Sequence, residues 1–362
     1  MAPFFVVPRV AAIAFQADEP YDRAMSESKA MILGASGSVL TADEAALYRN
    51  ERPWGFILFA RNIQDPSQIA DLVASMRDAV GRPEAPVLID QEGGRVQRIR
   101  PPIAEKYPSA AELGALYLRD RKMGLRASWL MSRLHAFDLM RFGINVDCLP
   151  ILDVPVEGAS NVIGDRAYGF DPATVADMGR AAAAGLKAGG MLPVMKHVPG
   201  HGRGMADSHH DLPVVTASRA ELEAHDFVPF RALKDELMAM SAHIVFTAID
   251  PDQPATTSRT LIEDVIRGHI GFEGLLMSDD TSMNALKGTI GERARRIAGG
   301  GCDIILHCNG VMEEMKAVVE EARPLSGDAL RRARAVEAGF APADGADETA
   351  LRQEFRGLFS VS

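Results

Sequence analysis

Short, nearly continuous apolar runs recur along this chain, at residues 30–33, 55–59, 86–89, 144–149, 192–195, 242–246, 275–277 and 303–306. Runs with few polar positions on either face are what a strand covered on both sides shows. Between them lie amphipathic stretches opened by helix signals: Asp65-Pro66 before residues 68–80, Asp171-Pro172 before an alanine-rich run, Ser218 with Glu221, and Thr260 with Glu263. Each is an N-cap or first-turn pattern, in which a short polar side chain can satisfy a free N–H of the first turn. Eight strands alternating with helices predict an α/β fold, a single (β/α)8 barrel of the TIM type. An open doubly wound sheet is the alternative, weakened because no Gly-x-Gly-x-x-Gly turn follows the first strand. The first connection is short for a full crossover, so irregularity is expected near the first strands. Residues after 325 read as extra C-terminal helices. The expected division is a catalytic domain over 25–340 and a helical tail over 341–362 packed on the barrel.

Unusual polar residues collect where the apolar runs end. Asp90, Gln91 and Glu92 follow the third run, and Asp147 and Asp153 lie around the end of the fourth. Lys196 and His197 end the fifth, His243 lies in the sixth, Ser278-Asp279-Asp280 ends the seventh and His307 ends the eighth. In a parallel barrel all of these converge on the C-terminal rim, where active sites of this fold are built. Charged groups there are costly without partners, so their repetition argues for a site.

The densest stretch runs Lys196-His-Val-Pro-Gly-His-Gly-Arg-Gly-Met-Ala-Asp-Ser-His-His210. It is a long loop between the fifth strand and the helix announced by Ser218, and loops of that length in compact domains are commonly functional. Asp207 and His209 stand two residues apart within it. A carboxylate beside an imidazole holds a proton-transfer group in one tautomer, which points to an enzyme.

Composition narrows the partners. The 362 residues are 47% hydrophobic and 24% charged with a formal net charge of −10. That balance disfavours general nucleic-acid and membrane-surface binders, which need a basic face. Three scattered cysteines (Cys148, Cys302 and Cys308) suggest neither a disulfide framework nor a zinc knuckle, and a reducing cytoplasm fits them best. No apolar stretch approaches the roughly 18–20 residues of a membrane span. Met25 looks like a natural start, so residues 1–24 are expected to be an extension or a misassigned start. A cryptic export signal is the competing reading.

Structural readings stand beside the functional ones. Asp90 and Arg95 suit an ion pair, and His197 and His201 suit braces of the loop, with bracing favoured for His201. Asp280 suits a structural acid beside Asp279, and Asp147 and Asp153 suit loop supports. Lys196 as a Schiff-base lysine lacks an accompanying phosphate-gripping loop. A metal site built from His197, His201, His209, His210 and Asp279 lacks the His-x-His pair such barrels carry on an early strand.

At these residues the chain resembles glycoside hydrolase family 3, in particular its bacterial single-domain β-N-acetylhexosaminidases of cell-wall recycling. The matching segments are Asp90-Gln-Glu-Gly-Gly-Arg-Val-Gln-Arg98, Val162-Ile-Gly-Asp-Arg-Ala-Tyr-Gly169, Lys196-His-Val-Pro-Gly-His-Gly202, Asp207-Ser-His209, Ser241-Ala-His243 and Ser278-Asp-Asp-Thr-Ser-Met283. Departures are mild: Val198 for Phe, Tyr168 for Phe and Thr281 for Leu. The resemblance implies a retaining hydrolase with Asp279 as nucleophile, His209 as acid/base and Asp207 as its carboxylate partner. It implies that Asp90, Arg166, Lys196 and His197 bind N-acetylglucosamine hydroxyls, with Arg98 near the sugar. No cofactor and no metal are implied. The expected partner is a small carbohydrate, N-acetylglucosaminyl-anhydromuramyl peptides, with no nucleic acid and no membrane. Rival readings are a phosphorylase on the same scaffold, a metal-dependent hydrolase, a substrate-assisted mechanism using Asp279-Asp280, and an inactive sugar-binding protein.

Overall fold

A computed structural model describes residues 28–204 and 212–360. The expected extension over 1–24 and the loop residues Asp207, His209 and His210 lie outside the described residues.

The wall of the fold is made by β1 (Lys29–Gly34), β2 (Pro53–Leu58), β3 (Val87–Ile89), β4 (Val146–Asp147), β5 in two parts (Leu192–Pro193 and Met195–Val198), β6 (Met238–Ser241), β7 (Leu275–Met277) and β8 (Ile305–His307). All pair in parallel. One sheet runs β8-β1-β2-β3-β4 and on to the first part of β5, and the second runs β7-β6 to the second part of β5. The sheets share β5, broken at Val194, and touch again at a bridge between Met277 and Ile304. The architecture is therefore a barrel-like α/β fold, with its ladder divided into two sheets. The expected irregularity near the first strands is present as a register shift between Lys29 and Ile32.

Two buried layers follow from the alternation of side chains along each strand. Ile32, Trp54, Leu88, Val146, Val194, Met240, Met277 and Leu306 fill the inside of the wall. Met31, Leu33, Phe56, Val87, Ile89 and Leu276 face outward onto helices such as Pro66–Val80, Arg121–Met140 and Pro172–Ala188. Leu325, Ala333 and Val336 join the inner cluster, so the helix Gly327–Ala338 covers the end where the strands begin. The opposite rim is left for loops.

Local signals in the sequence mostly act as expected. Asp65 and Asp171 cap their helices by accepting from Gln68 N and Thr174 N, and Ser218 and Glu221 form a reciprocal box. Thr260 does not cap. It is already helical, and Ser258 Oγ instead accepts from Leu261 N (3.0 Å) at the start of the π-wound helix Leu261–Ile270.

The sixth strand also lies earlier than its apolar run suggested. Met238 to Ser241 enter the wall because Met238 and Met240 fill the inner cluster. Val245 and Phe246 instead pair with Val214 and Val215 outside it. His243 accordingly sits just past β6. The last helix, Glu348–Ser360, lies against Arg121–Met140 through a two-bonded Arg126–Glu354 pair (2.6 and 2.7 Å) and buried Phe355.

Candidate active site

The segment after β3 turns back on itself as a short antiparallel pair, Gln91–Gly93 with Val96–Gln97. Gly93 has φ +87°, and a Cβ there would meet Pro108 O at 2.3 Å, so the Gly-Gly turn needs glycine. Gln91 ties the turn down: its N–H donates to Asp147 Oδ1 (3.0 Å) and its Oε1 accepts from Arg98 N and Ile99 N. Asp90 and Glu92, two residues apart in extended backbone, thereby project to the same side.

These two carboxylates organise three cations. Lys196, in β5, places Nζ 2.7 Å from Asp90 Oδ1 and 2.8 Å from Glu92 Oε1. Arg98 Nη2 donates to Asp90 Oδ2 (2.8 Å). Arg166 donates through Nε and Nη2 to both oxygens of Glu92, each at 2.8 Å. Burial alone would raise both acids, but Lys196 and Arg98 hold Asp90 far below the usual carboxylate range. Arg166 and Lys196 likewise hold Glu92 at about 2. Burial works against the cations too, yet the two carboxylates push Lys196, Arg166 and Arg98 upward.

The loop beyond β5 hangs on one buried acid, Asp153. Its Oδ1 accepts from His197 N (3.2 Å) and His201 N (2.6 Å), and its Oδ2 lies 2.7 Å from His197 Nδ1. The His197 ring is thus turned by its Nδ1 edge, leaving Nε2 toward the cavity. Burial drives His201 down to about 4, so that ring is neutral.

Asp279 follows β7. Its Oδ1 accepts from Asp280 N at 2.7 Å. Burial opposes its ionisation, but His243, His197, the Asp280 N–H and Lys196 together leave it below the ordinary value. Asp280 Oδ1 is occupied by Ser282 N (3.0 Å) and Cys308 N (3.1 Å), in keeping with a structural acid.

Asp90, Arg98, Arg166, Lys196, His197 and Asp279 all line one cavity of about 280 Å³, with Glu92, Phe59 and Met283 also on its walls. That size and its density of charged donors and acceptors suit a single hydroxyl-rich ring. The Asp90–Arg95 pairing does not form: Arg95 donates to Asp165 (2.8 Å). His307 is buried below the rim beside Glu314 and stays out of the cavity. Asp153 supports the loop, the role its place at the end of the fourth run suggested, whereas Glu92 carries more of the architecture than the sequence assigned it, the spacing Asp90-x-Glu92 being the available signal.

The wall, the rim position of the cavity and its carboxylate-rich lining define an α/β enzyme with a compact polar pocket. Residues 30–334 match the model of the glycosyl hydrolase family 3 N-terminal domain. The chain is 40% identical over 283 residues to a beta-hexosaminidase of Alkalilimnicola ehrlichii, covering 77% of this chain and 80% of that one. It is 39% identical over 284 residues to another from Tolumonas auensis, covering 77% and 82%. Among solved structures it is similar to NagZ of Neisseria gonorrhoeae in complex with N-trifluoroacetyl-D-glucosamine. There the TM-score is 0.80 at 30% identity, over 92% of this chain and 97% of that chain. The chain belongs to glycosyl hydrolase family 3 and is a glycoside hydrolase.

Proposed function

We propose that this protein is a retaining exo-β-N-acetylglucosaminidase that removes terminal β-linked N-acetylglucosamine from muropeptide fragments in the cytoplasm during peptidoglycan recycling. The observation that carries this reading is the Asp279 carboxylate, kept ionised in the same small cavity as the Asp90–Lys196–Glu92–Arg166 network. The beta-hexosaminidase names of the relatives and the glucosamine derivative bound by the gonococcal NagZ support the choice of sugar. Among the described residues no helix is long and apolar enough to cross a membrane.

In this reading the network binds the ring. Asp90 and Glu92 accept from sugar hydroxyls, and Lys196, Arg166, Arg98 and His197 Nε2 serve its oxygens, each contact strengthened where water is excluded. Asp279 attacks the anomeric carbon as the glycosidic oxygen leaves, forming a glycosyl ester that water then cleaves. His209 gives a proton to the leaving oxygen and later takes one from that water, with Asp207 orienting its ring.

The test has two parts. Nitrophenyl β-N-acetylglucosaminide should be cleaved far faster than the matching glucoside, and release free N-acetylglucosamine in phosphate buffer. A fluorinated substrate analogue should leave a sugar on the peptide containing Asp279, located by mass spectrometry. Preference for the glucoside, formation of a sugar phosphate, or labelling elsewhere would overturn the reading.

A further inference from the structure

We infer that His243 is a positioning residue for the Asp279 carboxylate, acting through a buried chain of hydrogen bonds that runs from Ser241 through Thr256 and the imidazole to the backbone of Asp280. The inference rests on the proposal that Asp279 is the nucleophile. It gives a task to the Ser241-Ala-His243 segment, which the sugar-binding network leaves unused.

The argument is one of satisfied donors and acceptors. His243 Nε2 lies 3.0 Å from the carbonyl oxygen of Asp280. A carbonyl only accepts, so Nε2 must carry a proton. His243 Nδ1 lies 2.8 Å from Thr256 Oγ1, and Ser241 Oγ donates to that same Oγ1 at 2.9 Å. Ser241, His243 and Thr256 are fully buried, and burial pushes the His243 imidazole below its ordinary value, favouring the neutral ring. A neutral ring already protonated at Nε2 takes a donor at Nδ1, and the group facing it is the Thr256 hydroxyl, whose single proton is shared with the Ala242 carbonyl at 2.9 Å. The end of the chain that matters is fixed by the carbonyl: Nε2–H donates to Asp280 C=O.

What this chain holds is the residue on which Asp279 leans. The Asp280 N–H donates to Asp279 Oδ1 at 2.7 Å. The Asp280 side chain is fixed by Ser282 N and Cys308 N. Its carbonyl accepts from Met283 N (3.1 Å) within the turn and from His243 Nε2, the side chain that grips it from behind the cavity wall. Residue 280 is therefore gripped at its side chain and its carbonyl, and its N–H is aimed at one oxygen of the carboxylate. That leaves the other oxygen to face the cavity. A donor fixed in this way holds the carboxylate in one orientation for attack.

The other groups acting on Asp279 are His197 and Lys196 from β5, His201 from the following loop, and Asp280 and Cys308 from the segments after β7 and β8. None of them is altered by the substitutions below. His243→Phe removes both bonds, whereas His243→Gln can return an Nε2 donor to the carbonyl. Thr256→Val keeps the imidazole but strips Nδ1 of its hydroxyl partner.

Three readouts separate positioning from mere packing: the rate of glycosyl-Asp279 formation, the acid limb of kcat/KM against pH, and the ¹⁵N shifts of the His243 ring. Wild type should show a pyrrole-type Nε2 and a pyridine-type Nδ1 near neutral pH. His243→Phe should slow adduct formation by roughly 10²-fold with little change in KM, as expected for a misplaced reacting group. Its acid limb should move to higher pH, and His243→Gln should recover most of the rate. Should His243→Phe fail to fold, Thr256→Val decides, with about a tenfold slower adduct and a mixed tautomer expected. Folded variants with wild-type adduct rates and unchanged acid limbs would overturn the inference, as would an Nδ1–H tautomer in wild type. Absence of any adduct on Asp279 would instead overturn the nucleophile assignment, leaving the tautomer measurement to stand alone.

Discussion

Arg166 grips Glu92 with two parallel bonds, Nε to Oε2 and Nη2 to Oε1, each 2.8 Å long. The residues are separated by 74 positions in the chain, yet their planes meet as a fork on a fork, the strongest common geometry for an ion pair. Lys196 Nζ adds a third contact at Oε1. Glu92 is thus the acid that couples the turn after β3 to the Gly164–Arg166 helical turn and to β5.

Replacing Glu92 by Gln keeps its shape and removes its charge. Arg166 and Lys196 would then sit buried with Asp90 as their nearest compensating acid. Breaking a buried pair from one side costs about 3–5 kcal/mol, and the lower end is expected here because Lys196 retains Asp90. Urea unfolding should show that loss, and KM for an N-acetylglucosaminide should rise because both cations lose their fixed orientation. Unchanged stability would mean that the network does not carry charge as described.

His201 ties stability to pH. Its folded value of about 4 lies below the unfolded value of 6.5, and burial is the main cause. Between those values the unfolded chain binds the extra proton, so stability falls as pH drops from 6.5 through 4 and is fully present above 6.5. At about 1.4 kcal/mol per unit the loss approaches 3 kcal/mol. His201→Gln should flatten this part of the profile relative to wild type in urea titrations at pH 7, 6, 5 and 4. Parallel wild-type and variant curves would show that the imidazole is not held neutral.

His209→Ala tests the proton-transfer assignment. General acid–base assistance is worth about 10²–10⁴-fold, so the variant should lose that factor on substrates with poor leaving groups. An activated aryl glycoside needs little protonation and should lose much less. Equal losses on both substrates, in steady-state kinetics, would remove His209 from the role.

Much of this architecture was legible beforehand for a local reason. A strand buried on both faces must be apolar along its length, so Ile32, Phe56, Leu88 and Val146 announce their own strands. A functional rim must interrupt that apolarity, so Asp90, Lys196 and Asp279 stood out at strand ends. The sixth strand escaped because residues 238–241 and 242–246 are both apolar. Only the pairing of Met238 with Leu275 decides which of them enters the wall. Thr260 failed as a cap because the preceding Ser258 already holds the first free N–H.

The chain by itself determined the class of fold, the end of the strand wall where the polar cavity lies, and most of the residues gathered there. These depend on periodicity and residue type, which are properties of neighbouring positions. The tertiary structure alone decided who partners whom: Glu92 with Arg166, Asp153 with both His197 and His201, and His243 with the carbonyl of Asp280. Those choices span tens of residues. They arise only when the folded wall brings strand ends within hydrogen-bond reach and withdraws the water that would otherwise satisfy each charge separately.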